Sequence, residues 1–231
     1  QRKKSWIWCK KLPALGFSVF THYRTEGIVL KKVDRGEADQ LLTIFTRDFG
    51  KLEILARAVR KISSKLRAGT ELFYLSEIEF VQGKTHKTLT DAILIEKFKN
   101  LRSDLTKLKI AHKIAESADD LIKAPEQDPK IWQLINEVLD KLNSYTLHAT
   151  RYTIIYHYFF WNLVSLLGYQ PKIQDCRVQG KEIDCDIVKI IKLILKKDWK
   201  VLPRLKLEPS HLKLLKEAAL WYRVKIVAES T

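Results

Sequence analysis

The chain has 231 residues, enough for one large domain or for two small ones that each bury a hydrophobic core. Hydrophobic residues make up 46% and charged residues 30%, which excludes a mostly disordered chain, and 8 Gly with 6 Pro exclude a collagenous or linker-dominated one. Three Cys exclude a disulfide scaffold and favour a reducing, intracellular compartment. The 42 Lys and Arg against 27 Asp and Glu give a net charge of +15, which favours a polyanionic partner, nucleic acid before membrane.

The first twenty residues have a composition of their own. Five cations and no acid flank Trp6, Trp8 and a short apolar stretch over residues 12–20. A basic start before an apolar stretch is typical of a secretory signal, but lysines interrupt the apolar region and no small-x-small cleavage site follows. We therefore expect residues 1–20 to be a basic extension that the fold does not need.

Residues 25–98 have the short apolar runs of β-strands, separated by turn signals at residues 48–51 and 83–84. The runs cover residues 27–33, 41–46, 52–58, 72–81 and 88–98. In the last run, Leu89, Ile93 and Ile95 are expected on one face. Five strands joined by short turns predict a small closed barrel.

After Leu101 the apolar spacing changes to that of helices. Apolar stripes predict four amphipathic helices, over residues 101–122, 129–142, 187–195 and 212–222. The fold class is therefore α+β, with a five-stranded barrel over residues 21–100 followed by an all-α helical domain over residues 101–231.

Residues 152–171 carry no formal charge, and a further helix is predicted within them, to about Leu167. Twenty such residues could form a membrane span or the buried central helix of a bundle. The polar side chains within this segment and the charges close on both sides favour the buried helix.

No enzyme motif stands out. The chain lacks a Walker loop and the patterns G-x-G-x-x-G, G-x-S-x-G and H-E-x-x-H, and none of its cysteines has a histidine nearby in sequence as a catalytic partner. We expect a binding protein with no enzymatic activity and no cofactor.

The strongest local charge signal lies in the barrel half. Five cations and no acid stand between Arg57 and Arg67. Because this stretch follows the third strand, it is expected at the rim of the barrel, where its cations and the hydroxyls of Ser63 and Ser64 can follow phosphates without reading bases. The alternative is a loop that serves only solubility. The complete lack of acids favours nucleic acid.

A second basic cluster lies between residues 189 and 206, with only Asp198 among its cations. This pattern is equally typical of an anion-binding surface and of the polar face of a helix. The cluster consists of Lys189, Lys192, Lys196, Lys197, Lys200, Arg204 and Lys206.

Several segments resemble the bacterial DNA repair protein RecO family. They are YRTEGIVL at residues 23–30, GEAD at 36–39, LTIFT at 42–46, GKL at 50–52, ARAVR at 56–60 and LGYQP at 167–171. The resemblance spans residues 22–231 and is most specific in its first fifty. It implies an OB-fold barrel followed by a helical domain. It also implies binding of single- and double-stranded DNA, annealing of complementary strands, loading of the recombinase RecA with the partner RecR, and a cytoplasmic, nucleoid-associated location.

With this resemblance, the residues predicted to bind DNA are Arg24, Lys51, Arg57, Arg60, Lys61, Lys65 and Arg67. The family also contacts the acidic C-terminal tail of single-strand-binding protein. We expect that tail in a groove formed by Lys189, Lys192, Lys196 and Lys197 with Tyr156, Phe159, Phe160 and Trp161, most of which are also expected to be core residues. The alternative function is an OB-fold adaptor for RNA or protein, without annealing activity, whose helical half is the interaction surface.

Many family members carry a zinc site that starts with C-x-x-C-G after the Gly-Tyr-x-Pro segment. Here Gln179 stands where the second cysteine would be, three residues after Cys176, and Cys185 is the only further cysteine in range. Because structural zinc needs four soft or imidazole ligands, we expect no metal at this loop.

Overall fold

A computed structural model of the chain describes residues 21–83, 85–123, 127–145, 149–174, 177–178, 180–199, 201–205 and 207–229. The chain divides into two compact units. The barrel unit extends to Lys97 and also includes the segment that ends at Asp128, whereas the helical unit consists of Phe98–Lys123 and the residues from Pro129 onward. The predicted basic extension, residues 1–20, lies outside the described residues.

Five strands form the barrel unit. They are β1 (His22–Arg35), β2 (Asp39–Thr46), β3 (Gly50–Ala56), β4 (Leu75–Gln82) and β5 (Lys87–Glu96). Around the closed barrel their order is β1-β2-β3-β5-β4, and β4 pairs with β1 to complete the ring. Strands β3 and β5 are parallel, whereas the other neighbours are antiparallel. This is the predicted five-stranded OB-fold barrel.

The barrel core follows from the period-2 alternation of the strands. In β3, Leu52, Ile54 and Ala56 are buried, while Lys51 before them and Glu53 between them face outward. Val29 of β1, Leu42 of β2 and Phe80 of β4 belong to the same core cluster. The apolar side chains that the sequence places at every second position therefore fill the interior of the barrel.

Strand β5 departs from the predicted alternation. Its pairing with β4 shifts where Glu79 faces Asp91 and Phe80 faces Leu89, so that Thr90 is an extra residue. One extra residue exchanges the two faces of a strand. Ala92 is therefore buried with Leu89, whereas Ile93 and Ile95 are 49% and 50% exposed. The prediction that Leu89, Ile93 and Ile95 share one face was wrong, because the hydrophobic pattern does not reveal a bulge.

Six helices are described in the helical unit. They are α1 (Lys99–Ser103), α2 (Leu105–Leu121), α3 (Pro129–Ser144), α4 (Ala149–Leu166), α5 (Cys185–Leu195) and α6 (Pro209–Glu229). The stripe predicted from Leu101 is divided in two at Asp104, whose carboxylate caps α2 by accepting a 2.8 Å hydrogen bond from the amide of Thr106.

A small antiparallel sheet lies between α4 and α5 in the sequence. Its strands are β6 (Ile173–Gln174), β7 (Arg177–Val178) and β8 (Lys181–Glu182). This sheet was not predicted from the sequence, because two-residue strands are too short to show a hydrophobic period.

Helix α4 is the centre of the helical unit. It contacts α2, α3, α5 and α6, and its Phe159, Phe160 and Trp161 are fully buried. The uncharged segment is therefore a buried helix, as its polar residues indicated. Among the described residues, no helix combines the length and the apolar character needed to cross a membrane.

Candidate nucleic-acid interface

The basic cluster of the barrel lies on a loop that leaves β3. We call residues 57–69 the rim loop. Its backbone makes successive tight turns, in which the amide of Lys61 donates to the carbonyl of Ala58 at 3.2 Å and the amide of Ser64 donates to the carbonyl of Lys61 at 3.0 Å. A 3-10 turn over Lys65–Gly69 completes it. The loop is therefore held by its own backbone hydrogen bonds rather than being an open coil.

The start of the rim loop is fixed to the β1–β2 turn and to the core. The amide of Ala58 donates to Oδ1 of Asp39 at 2.7 Å, and the amide of Arg60 donates to the carbonyl of Ala38 at 3.0 Å. Between them, Val59 is only 2% exposed and packs in the barrel core. Ala58 itself has a φ of +52°, a left-handed conformation that non-glycine residues adopt at a cost. These contacts hold Ala58 in this conformation where the chain leaves β3.

The end of the rim loop is fixed equally well. Leu66 packs against the barrel core, and its carbonyl accepts a 3.0 Å hydrogen bond from the hydroxyl of Thr70. The hydroxyl of Ser76 donates to the carbonyl of Gly69 at 2.7 Å. Gly69 also lies so close to β5 that a Cβ there would be 2.4 Å from the carbonyl oxygen of Ala92. The rim loop is thus held at both ends on the barrel.

Four of the predicted cations, Arg57, Lys61, Lys65 and Arg67, are exposed along this held loop, and residues 57–69 contain no acid. Arg60 is different. Its guanidinium lies 3.4 Å from Oδ2 of Asp34 and 3.4 Å from the carbonyl of Gly36. Arg60 therefore ties the loop to the β1–β2 turn, and its charge is partly balanced before any ligand arrives.

Arg35 is a further cation near the rim loop that was not predicted from the sequence. This exposed residue ends β1 and directly precedes Gly36, whose carbonyl contacts Arg60. Arg35 is far from Arg57 in sequence, so no local charge pattern links the two. Only the pairing of β1 with β2 and of β2 with β3 brings the end of β1 to the rim loop.

The structure does not bring Arg24 and Lys51 to the rim loop. Lys51 lies at the start of β3, and a seven-residue strand separates it from Arg57 by about 20 Å. Arg24 lies near the start of β1, where it forms an ion pair with Glu77 of β4. The neighbouring pair His22–Glu79, with a 2.6 Å contact, makes this a face of mixed charge. A phosphate at Arg24 would have to compete with a carboxylate.

The predicted lysines of α5 lie on its exposed side, opposite the buried Ile187, Ile191 and Ile194. Lys192, Lys196 and Lys197 are exposed, and Lys197 follows the helix in a left-handed conformation. Lys189 donates a 2.9 Å hydrogen bond to Asp186, which raises the pKa of Lys189 and lowers the pKa of Asp186.

Of the four aromatic residues of the predicted peptide groove, Phe159, Phe160 and Trp161 are core residues, and Tyr156 is half-buried. The helical unit has a different pocket, of about 260 Å³, between the residues that follow α4 and the C-terminal half of α6. It is lined by Gly168, Tyr169, Gln170, Lys172, Tyr222, Lys225 and Ile226.

The predicted zinc-free loop is only partly described, since Cys176 and Gln179 lie outside the described residues. Cys185, the first residue of α5, is disulfide-bonded. The described residues contain no group of three or more His, Cys, Asp and Glu placed to hold a metal ion. The absence of zinc stays a prediction.

The fold and the rim loop define an OB-fold protein with a basic rim, joined to a helical unit. The chain matches Recombination protein O N terminal over residues 20–98 and Recombination protein O C terminal over residues 102–219. It therefore belongs to the Recombination protein O family, as the sequence motifs indicated.

Relatives of the chain carry a matching name. The chain is 34% identical over 161 residues to the DNA repair protein RecO of Moorella thermoacetica, covering 70% of this chain and 58% of that protein. It is 32% identical over 154 residues to the DNA repair protein RecO of Dehalococcoides mccartyi, covering 67% of this chain and 59% of that one. The match thus spans about three-fifths of the length of these curated relatives.

Proposed function

We propose that the chain is a DNA-binding recombination mediator in DNA repair. It binds single- and double-stranded DNA, anneals complementary strands, and helps to load the recombinase RecA together with RecR. The observation that carries the proposal is the rim loop, which holds exposed cations without an acid at the edge of an OB-fold barrel. Membership of a family whose relatives are named DNA repair protein RecO supports it.

The geometry of the rim loop suits annealing. Two strands that pair must bring their phosphates together, and cations that neutralise phosphates lower that repulsion. Contacts to phosphates leave the base edges free to find their partners, because such contacts carry no sequence information. Since the backbone hydrogen bonds already hold the loop, little ordering cost falls on binding.

Salt-titrated binding to a single-stranded oligonucleotide tests DNA binding. If the four exposed cations of the rim loop neutralise phosphates, the slope of log K against log salt is roughly −3. The triple variant Arg57→Glu, Lys61→Glu and Lys65→Glu should bind all sequences more weakly, with a slope near zero. The matched control, Lys189→Glu with Lys192→Glu and Lys196→Glu, has the same change of charge on α5. A wild-type slope near zero, or equal losses in both variants, would overturn the rim loop as the DNA site.

An annealing assay separates the mediator from an adaptor for RNA or protein. Complementary oligonucleotides should pair faster with the wild-type chain than without it, and the rim-loop triple variant should lose this acceleration. Binding without acceleration would favour the adaptor. RecR is tested by sedimentation of the two proteins together, and the lack of a common species would contradict that part of the proposal.

We further propose that the helical unit binds the acidic C-terminal tail of single-strand-binding protein. A peptide of this chemistry needs cations for its carboxylates and an apolar surface for its terminal side chain. The exposed lysines of α5 supply cations. The pocket beside α6 combines Lys172 with apolar Ile226 and so offers both features in one place.

Peptide titrations distinguish the two locations. The α5 triple variant and the double variant Lys172→Glu with Lys225→Glu should differ in their affinity for the tail peptide, and the variant with the larger loss identifies the site. Deleting the terminal apolar residue of the peptide should weaken binding more than removing one acid. Equal binding of a charge-matched scrambled peptide would show only a basic surface and would refute the proposal.

A further inference from the structure

The rim loop contains an aliphatic side chain that the barrel does not use. Ile62 is 93% exposed, the largest exposed fraction among the large hydrophobic side chains that the structure describes. The other two large aliphatic residues of the loop, Val59 and Leu66, point inward and pack against the core. The loop therefore buries two of its apolar side chains and presents the third to solvent.

The backbone presents Ile62 at a defined position. In the turn that the amide of Ser64 closes on the carbonyl of Lys61, Ile62 is the first of the two central residues. The preceding turn and the anchoring of Ala58 on Asp39 hold the base of this turn. Ile62 is thus carried at the tip of an ordered loop.

The positive charge around Ile62 indicates which kind of ligand can cover this side chain. Residues 57–69 contain five cations and no acid, and Lys61 and Ser63 on either side of Ile62 are both exposed. A ligand that covers this tip must combine dense negative charge with apolar surface. Nucleic acid has this combination, with phosphates for the cations and base faces for the isoleucine.

We propose that Ile62 is an apolar wedge that contacts bases and separates neighbouring bases in the strand held by the rim loop. The proposal rests on the proposed DNA binding of the same loop and adds a residue that touches bases. Aliphatic side chains of other DNA-binding proteins enter between base steps and partly unstack them. An isoleucine has no polar group with which to read base edges, so the contact is independent of sequence.

Unstacking by Ile62 serves annealing directly. A single strand that is stacked on itself, or folded into short hairpins, hides some of its pairing edges. A wedge that opens base steps while the cations hold the phosphates presents those edges to the complementary strand. Annealing of oligonucleotides with internal hairpins should therefore depend on Ile62 more strongly than annealing of unstructured ones.

The test uses the full chain and a single strand that contains 2-aminopurine, whose fluorescence rises when the base is unstacked. Wild-type protein should raise the fluorescence. Ile62→Ser should abolish the rise and weaken binding by about tenfold, because the apolar contact is lost. Its salt slope should stay that of the wild type, since no cation is removed. Ile62→Phe, which keeps an apolar side chain, should retain the fluorescence rise.

Two controls separate the wedge from its surroundings. Lys61→Ala should reduce the salt slope by about 0.7 and keep the full fluorescence rise at saturation. Leu220→Ala removes another exposed aliphatic side chain, on α6 of the helical unit, and should change nothing. Unchanged thermal unfolding of Ile62→Ser, expected for so exposed a residue, shows that the fold is intact.

If Ile62→Ser keeps the fluorescence rise and the affinity of the wild type, the proposal that Ile62 is a wedge is overturned, while the proposed DNA binding is unaffected. The same result is expected if Ile62 contacts a protein partner instead of bases. Failure of the proposed DNA binding is seen separately, as a lack of salt-dependent binding by the wild-type chain before any Ile62 variant is made.

Discussion

The amide of Ala58 donates a 2.7 Å hydrogen bond to Oδ1 of Asp39, so that an acid at the start of β2 positions the beginning of a basic loop. The bond satisfies the amide of a residue in the left-handed conformation, directly after β3 ends. An acid close to a proposed DNA surface is unfavourable for phosphate binding by charge alone. We infer that Asp39 serves the shape of the rim loop.

Substitution of Asp39 distinguishes its effect on the shape of the rim loop from the effect of its negative charge on DNA binding. Asp39→Ala removes a negative charge, which alone would strengthen DNA binding, but it also removes the acceptor for the Ala58 amide. We expect weaker binding, by about threefold to tenfold, because a loop that must order on binding lowers affinity. Asp39→Asn removes the same charge and keeps an oxygen acceptor, so it should bind DNA at least as well as the wild type. Salt-titrated binding measures both, and tighter binding by Asp39→Ala would show that charge dominates.

Arg60 and Lys61 are neighbours with different predicted contributions. Lys61 is exposed and should contact phosphate, whereas Arg60 is paired with Asp34. Lys61→Ala should reduce the salt slope, and Arg60→Ala should reduce it less while speeding amide hydrogen exchange in residues 58–64. Asp34→Asn should free Arg60 and increase DNA affinity. If Arg60→Ala and Lys61→Ala have the same slope and the same exchange pattern, the ion pair does not distinguish them.

The hydrophobic alternation was sufficient to predict the barrel, because every second residue of β3 and its neighbours must be apolar to fill the interior. It failed at β5, where the extra residue Thr90 exchanges the two faces. The buried position of α4 was also predictable, since the polar side chains within its uncharged stretch favoured a buried helix over a membrane span.

The candidate site was predictable in composition but not in arrangement. The run of cations from Arg57 to Arg67 is visible in the sequence, and the structure shows that it is an ordered loop. Its links to Asp34 and Asp39 are contacts between distant segments, which a local charge count does not contain. The count also did not distinguish Arg24, which has a carboxylate partner on the next strand, from exposed Lys61.

Gly69 should be required because a side chain has no space there. Gly36 should be required because its backbone is in the left-handed conformation. A Cβ at Gly69 would be 2.4 Å from the backbone oxygen of Ala92, and a backbone atom in a sheet cannot move away at low cost. Gly69→Ala should therefore destabilise the barrel by about 1–3 kcal/mol. Gly36 has a φ of +59° and open space around its Cβ position, so Gly36→Ala should cost only about 1 kcal/mol.

Amide hydrogen exchange of the barrel strands measures these costs without interference from the helical unit. Gly69→Ala should also disturb the loop end that Ser76 and Thr70 hold, and should weaken DNA binding. Equal protection in Gly69→Ala and the wild type would mean that the 3-10 turn shifts away from β5 freely.

His157 makes the helical unit sensitive to acid. Its ring is only 1% exposed on α4, and within the described residues neither ring nitrogen has a hydrogen-bond partner. Burial, together with the charge of Lys113, lowers the pKa of His157 from 6.5 to about 4. The folded protein therefore keeps this ring neutral at a pH where the unfolded chain protonates it.

The sign of the pH dependence follows from that difference. Between pH 6.5 and pH 4 the unfolded chain binds the extra proton, so stability falls as the pH falls through this window, by up to about 3 kcal/mol, and His157 contributes no further change below it. His157→Phe removes the titrating group and should lose less stability than the wild type between pH 6.5 and pH 4. His112→Gln, on the exposed side of α2 in the same unit, is the matched control and should follow the wild type. Amide exchange of α4 against pH measures the difference, and parallel curves for the wild type and His157→Phe would show that His157 does not set the acid sensitivity.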